Sequence, residues 1–478
     1  MLNACAWSAH PLPRAHAWLA LVAGLRTRAH FWWLDSARAG APLGRFSFAG
    51  AEPWCVLRVR GDLWQRETLR APWPLGAERG AGDPLAALRA LLPARPECAD
   101  PAPAPLPFVG GLVNALGYEL AARFEALPLA QGGAPLPFAD AFAFGVDRLF
   151  ALDHLEGCAY AVALCAAPSP EAAAAAARRA ARELADAAPR AAWPTPPLRA
   201  PRPPLAVRRG FDAQEHAKAV EQIRERIAAG DLYQACLTHR IEAEFSGDAF
   251  AYYCALRDAN PAPFGAFLEL PEGAIACSSP ERFLALSADG VLETRPIKGT
   301  RPRREEPAAD RAEAAALLTS EKDRAENLMI VDLARNDLGR VCEIGSVQVP
   351  ELFALESYAT VHQLVSTVRG QLAQKRDVFD AIRAAFPPGS MTGAPKLAAI
   401  ALLARIERAR RGLYAGALGY LDARGGCDLA VMIRSAFIAG GRIALHTGGG
   451  IVADSEPAAE WEEAEAKAAA LLAAARAW

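Results

Sequence analysis

Residues 211–245 read FDAQEHAKAVEQIRERIAAGDLYQACLTHRIEAEF, and two periodicities meet inside this run. Asp212 followed three residues on by Glu215 forms a capping box, Ala219, Val220, Ile223 and Ile227 recur at helical spacing, and Gly230 ends the helix. From residue 231 to 245 the period drops to two, which puts Gln234, Cys236 and Thr238 on one face and Tyr233, Ala235 and Leu237 on the other. Helix and strand signals mixed without strict alternation or a fixed repeat argue for an α+β fold.

Outward from that run the mixture continues. A long helix is expected over about residues 309–334 and a last one from 457 to the C-terminus, with strand-like stretches near 346–349, 416–420, 430–438 and 442–446. Upstream, residues 1–165 mix short apolar runs with proline and glycine, as strands and loops do. The alanine-rich block 171–188 reads as a surface helix and the proline-rich segment 192–205 as an extended linker. The expected division is therefore an N-terminal region 1–190, a linker 191–207 and a C-terminal region 208–478.

The 478 residues, 52% of them apolar and 22% charged, suffice to bury one large core or two ordinary ones. A formal net charge of −2 without long runs of one sign removes the electrostatic case for nucleic acid or a membrane surface and favours a small-molecule substrate. Ten cysteines stand singly, with no Cys-x-x-Cys pair and no histidine cluster at zinc spacing, the pattern of a reduced, cytoplasmic protein. The apolar stretch 15–25 imitates an export signal, but Arg26 and Arg28 follow at once and no cleavage site appears. No membrane span is expected, because the longest uncharged run, 101–118, carries four prolines and three glycines.

Of the 52 basic residues only six are lysine: Lys218, Lys298, Lys322, Lys375, Lys396 and Lys467. Each is a candidate for work that the permanently charged arginine cannot do. Lys298 lies in TRPIKGT (294–300), between an apolar residue and a glycine at an apparent strand end; it reads as a desolvated nucleophilic amine or as a surface turn lysine. Asp323 and Glu326 share one helix face, and Glu460, Glu463 and Lys467 share another. Two such faces would clamp a hard divalent cation, magnesium best, although the same residues also read as solvated charges and Asp323 as a capping partner of Ser320. Gly448, Gly449 and Gly450 follow a strand and offer bare amides to a carboxylate or phosphate, or form a plain turn. A phosphate-loop reading of residues 389–396 fails at Pro395 and Leu397, so no nucleotide site is implied.

The order of these segments resembles the chorismate-utilising enzymes: anthranilate synthase component I, aminodeoxychorismate synthase component I (the para-aminobenzoate synthase large subunit), and isochorismate and salicylate synthases. The matching segments are GDLYQ (230–234), SPER (279–282), the lysine run, EKDRAENLMIVDLARNDLGRV (321–341), FPPGSMTGAPK (386–396), RGLYAGALGY (411–420) and GGGIVADS (448–455). Upstream the likeness is thinner, through FVGG (108–111) and GYE (117–119). Gln234 stands where the isochorismate and salicylate branches carry a water-activating lysine. Lys298 stands where anthranilate synthases usually have alanine and the aminodeoxychorismate branch lysine.

The resemblance implies two packed antiparallel β-sheets, a β-sandwich core, surrounded by helices. It implies conversion of chorismate and ammonia to 4-amino-4-deoxychorismate, for 4-aminobenzoate and folate biosynthesis, with Lys298 as covalent nucleophile and Glu281 as general acid. Glu326 and Glu463 would hold Mg²⁺, supported by Asp323 and Glu460. Tyr414 and Arg434 would bind the enolpyruvyl carboxylate, the amides of Gly448, Gly449 and Gly450 with Lys467 the ring carboxylate, and Gln234, Gly299, Thr300 and His362 would line the pocket. No cysteine sits in a Gly-x-Cys-x-Gly elbow, so a separate class I glutamine amidotransferase subunit is expected to supply ammonia and an aminodeoxychorismate lyase to take the product. The competing readings are anthranilate synthase component I, against which Lys298 speaks, and a catalytically inactive paralogue. WLDS (33–36) and NPAPF (260–264) resemble the family's tryptophan-binding segments only loosely.

Overall fold

The capping box at Asp212 forms: Asp212 Oδ1 accepts the Glu215 N–H at 2.8 Å, and Glu215 Oε2 accepts the Asp212 N–H at 3.0 Å. The helix Ala213–Ala228 buries His216, Ala219, Val220 and Ile223, and the chain leaves it through Gly230 at φ +82°, a conformation that favours glycine. It then enters the strand Gln234–Glu244. The computed structural model describes residues 4–12, 17–37, 43–70, 75–93, 95–101, 104–128, 130, 135–193, 205–358 and 361–476.

Two large sheets organise the fold. Among the described residues one has thirteen strands, in the spatial order Val207–Arg209, Gln234–Glu244, Arg442–Ile451, Ser435–Ala439, Gly273–Ser279, Phe264–Leu270, Trp32–Asp35, Phe46–Gly50, Arg148–Asp153, Cys158–Ala167, Ala4–Pro11 and Glu97–Cys98, with Gly393–Ala394 added to Gln234–Glu244. The other has twelve, running Ile297–Pro302, Val361–Gln371, Val291–Arg295, Arg282–Leu286, Cys427–Val431, Ala417–Asp422, Gly111–Leu116, Ala141–Val146, Cys55–Arg60, Leu63–Thr68 and Gly76–Ala81, with Gln348–Ser357 on Val361–Gln371. All pairs are antiparallel except Ala4–Pro11 with Glu97–Cys98. Phe264–Leu270 pairs with Trp32–Asp35 and Ala417–Asp422 with Gly111–Leu116, so each sheet joins strands from both sides of the proline-rich segment. Residues 194–204, most of that segment, lie outside the described residues.

The largest core lies between the sheets, where Trp32, Phe48, Ile275 and Phe437 of one meet Val56, Phe144, Leu284 and Tyr420 of the other. Helices Trp18–Leu25, Ala249–Ala259 and Pro457–Arg476 cover the outer face of the thirteen-stranded sheet through Leu21, Phe250, Tyr252 and Leu471. Trp193 packs edge-on against the buried Trp33 at 5.8 Å. The alanine-rich helix is Pro170–Asp186, capped by Ser169, with Ala173, Ala177, Ala180 and Ala181 turned inward.

Two expectations are corrected. The helix expected over 309–334 is two helices, Pro307–Thr319 and Glu321–Gly339, because Ser320 is extended and caps the second by accepting the Asp323 N–H. Gly448–Gly450 are neither loop nor turn: they continue the strand Arg442–Ile451, in register with Thr238, Leu237 and Cys236. Among the described residues no helix is long and apolar enough to cross a membrane.

Candidate active site

A cavity of about 550 Å³ opens where the ends of both sheets meet the helices Glu321–Gly339 and Pro457–Arg476. Its walls carry Glu281, Lys298, Gly299, Thr300, Asp323, Glu326, Tyr414, Arg434, Gly448, Gly449, Gly450, Glu460, Glu463 and Lys467. Gln234, fully buried, lies against Gly450 on the same face as Lys298. Segments scattered from residue 234 to 467 thus meet at one place.

The bare strand end makes this convergence feasible. A Cβ on Gly450 would lie 2.3 Å from Gln234 Nε2 and 3.0 Å from Lys298 Nζ, while one on Gly449 would lie 3.0 Å from Glu460 Oε2. Successive residues of a strand face opposite ways, so one face of the glycine run admits the amine and amide and the other admits the acidic helix. Cys236 N–H donates to Thr392 O and Thr238 N–H to Glu407 Oε1, both away from the glycine strand. Leu237 therefore makes the ladder bonds, and the polar groups of Gly448 and Gly450 turn to the open edge. Lys467 Nζ uses that edge, donating to Gly448 O at 2.9 Å.

Lys298 stands on the strand Ile297–Pro302 just before a bulge at Gly299, φ +80°, where a Cβ would lie 2.9 Å from Asp323 Cβ. Glycine there lets the Asp323–Glu326 helix close over the lysine. Glu281 is buried beside it, and that burial pushes its carboxyl up to about 7 against the opposing pull of the Ser390 hydroxyl and the Lys298 charge. Burial likewise raises Glu326, helped by the nearby carboxylates of Asp323 and Glu460 and opposed by Lys298 and Lys322. Burial raises Glu460, whose Oε1 accepts from Ser455 Oγ at 2.7 Å. At Glu463 the effect of burial is outweighed by Lys467, 2.6 Å away, and its carboxyl is held below the ordinary range.

Four carboxylates on two helices face one cavity and offer hard oxygens, and the burial of Glu326, together with its smaller repulsion from Asp323 and Glu460, is what a divalent cation would offset. Among the described residues no three His, Cys, Asp or Glu side chains are grouped closely enough to hold a metal ion as they stand. Asp323 is also engaged by Arg301, which donates to its Oδ2 at 2.9 Å.

Arg434 forms no ion pair with a carboxylate among the described residues; it donates only to Lys467 O, at 3.3 Å, and adopts φ +51°, rare for a non-glycine residue. Ala415, next to Tyr414, is likewise at φ +62°. Such backbone recurs at functional sites because the surroundings over-determine it.

His362 is not brought to the wall. Its Nε2 lies 3.0 Å from Asp310 Oδ1 and its Nδ1 2.8 Å from Ser357 Oγ, and strand alternation turns Gln363 to the cavity instead. Lys396 is structural: its Nζ donates to Asp337 Oδ2 and to the Ala385 and Pro387 carbonyls. Lys322 lines the cavity. Sequence reasoning missed His446, Ser390 and Gln363 on the wall and the buried pair below it, where Arg411 donates to Glu407 at 2.6 and 2.9 Å and to the Cys236 and Met391 carbonyls. Arg411 opens the quoted RGLYAGALGY run, which was the available signal. Of the two loosely matching tryptophan segments, Leu34, Asp35, Ser36, Pro263 and Phe264 line a second cavity of about 310 Å³.

The family model for chorismate binding enzymes matches residues 60–473. An aminodeoxychorismate synthase of Streptomyces pristinaespiralis is 43% identical over 93% of this chain, which spans 62% of that protein's length. Aminodeoxychorismate synthase component 1 of Escherichia coli is 38% identical, with 91% of each chain covered. Among solved structures, anthranilate synthase component I from Streptococcus pneumoniae TIGR4 superposes with a TM-score of 0.73 at 28% identity, covering 91% of this chain and 93% of that one. With this match over most of its length, and with the matched motifs gathered on one cavity, the chain belongs to the chorismate binding enzyme family.

Proposed function

We propose that the chain aminates chorismate at C4, giving 4-amino-4-deoxychorismate for 4-aminobenzoate synthesis. The observation that carries this reading is Lys298, one of only six lysines, with its Nζ on the cavity side of Gly450 and with Glu281 buried nearby. Lys298 Nζ attacks C2 of the ring, both ring double bonds shift (C1=C2 to C1=C6 and C5=C6 to C4=C5), and the C4–O bond breaks while Glu281 gives the departing hydroxyl a proton, releasing water. Ammonia then attacks C4, both double bonds return, the C2–Nζ bond breaks to restore the lysine amine, and Glu281 recovers its proton from the new C4 ammonium. The balance is chorismate plus ammonia to aminodeoxychorismate plus water.

The remaining residues position the substrate. Arg434, free of carboxylate partners, and Tyr414 take the enolpyruvyl carboxylate. Lys467 and the open-edge amides of Gly448 and Gly450 take the ring carboxylate. Gln234, whose Nε2 and Oε1 both lack partners, lies beside Lys298 on the same face of Gly450 and has a free acceptor for the incoming ammonia. Glu326 and Glu463, with Asp323 and Glu460 beside them, would hold Mg²⁺, which when bound supplies positive charge to the ring carboxylate. Ammonia comes from a separate glutaminase subunit of the class I amidotransferase type, and a lyase consumes the product; the chain acts in the cytoplasm.

The test is a product assay with purified chain, chorismate, Mg²⁺ and ammonium salt. Aminodeoxychorismate by mass, converted to 4-aminobenzoate by an added lyase and lost in Lys298→Ala, is the expected result. Anthranilate would overturn the reading.

A further inference from the structure

We infer that His446 is a substrate-binding residue: its imidazole, the first side chain on the Lys298 face of the glycine strand, hydrogen-bonds the enolpyruvyl end of the substrate. The inference rests on the reaction proposed above. His446 and Gly450 stand four residues apart on the strand Arg442–Ile451, an even spacing that puts both on one face, and the Gly450 position meets Lys298 Nζ, whereas a Cβ on Gly448 would run into the Leu237 carbonyl. Four residues separate the two, roughly 13 Å at about 3.3 Å per residue, and with glycine at 448 and 450 no side chain of the strand stands between Lys298 and the next one along that face. That side chain is His446.

The imidazole lines the cavity with Tyr414 and Arg434 and stacks on the Tyr414 ring, centroids 4.9 Å apart at 27°. It is 3% exposed, yet neither Nδ1 nor Nε2 has a hydrogen-bond partner among the described residues. Buried ring nitrogens are ordinarily satisfied, so two orphans on a cavity wall mark a place that a ligand completes. Burial and the nearby Arg240 and Arg411 charges hold the ring well below the ordinary histidine range, hence neutral. A neutral imidazole presents one N–H donor and one acceptor. The donor suits a carboxylate that Arg434 already attracts, and because the ring adds no charge it discriminates by direction.

The test uses the full chain with ammonium as amine donor, comparing wild type, His446→Phe, which keeps the stack on Tyr414 and removes both nitrogens, and His446→Gln, which restores a donor and an acceptor. We expect the phenylalanine variant to raise the KM for chorismate about tenfold or more, as losing a hydrogen bond to a charged group does, with kcat within about threefold. Glutamine should recover most of the loss. A KM within about twofold of wild type in the phenylalanine variant, or a loss confined to kcat, would overturn the inference. Independently of variant folding, the ¹⁵N resonances of the wild-type imidazole, assigned by their absence in His446→Gln, should move on adding chorismate; resonances unmoved at saturation would also overturn it. Shifted resonances without amination would refute the proposed reaction and leave the assignment of His446 standing.

Discussion

Replacing Glu281 by glutamine removes one proton-binding site while keeping shape and volume. In the folded chain burial holds this carboxyl at about 7, against an ordinary value of 4.5. Between those values the unfolded chain releases its proton and the folded chain retains it, so stability falls as pH rises and the loss is complete above about 7. At about 1.4 kcal/mol per pH unit, the total comes to roughly 3 kcal/mol. Glutamine carries no such dependence. Urea unfolding of both proteins in parallel at intervals from pH 5 to 8.5 therefore measures the effect by difference, because the other ionisable groups cancel. The variant should gain on the wild type as pH rises to about 7 and hold its advantage beyond. A constant difference across the range would refute the assignment of a buried, proton-retaining carboxyl. The same proton serves the reaction, so amination by the wild type should decline above about pH 7, and Glu281→Gln should lose about 10²- to 10⁴-fold at the plateau.

Gly450→Ala places a methyl 2.3 Å from Gln234 Nε2 and 3.0 Å from Lys298 Nζ; kcat/KM for chorismate should fall by more than about tenfold, read by initial rates, with the far-UV spectrum unchanged. Lys396→Met leaves Asp337 buried without its cation and should destabilise the fold by about 3–5 kcal/mol in urea melts, with the kcat of the surviving folded fraction near wild type. Treatment with EDTA should abolish amination and added Mg²⁺ restore it, and Glu463→Gln should raise the Mg²⁺ needed for half-maximal rate by about tenfold or more, read by titration.

Elements announced by local chemistry were legible in the sequence. The capping box at Asp212, the stop at Gly230 and the alternation after Gln234 depend on residues a few positions apart, and the structure carries all three. The break at Ser320 was obscured because alanine and leucine continue the helical pattern on both sides, and only the cap interrupts it. The glycine run read as a loop because glycine disfavours strands in isolation; its pairing with residues 236–238 and the close approach of Lys298 are set far away in sequence, and that of Glu460 by the packing of the last helix. The site residues named on motif order line the cavity except Gln234, fully buried against Gly450, and His362, whose partners Asp310 and Ser357 give no local signal. His446 was invisible for the converse reason: a lone histidine in an apolar strand reads as core until Lys298 is found against Gly450, four residues along the same face.

The central claim is a covalent bond between Lys298 and the substrate ring. With ammonia withheld, the chain mixed with chorismate and Mg²⁺, then quenched in acid, should gain the mass of chorismate less one water, and proteolysis should place that mass on the peptide containing Lys298. A chain that aminates chorismate while showing no adduct under these conditions, or one at another residue, would contradict the account.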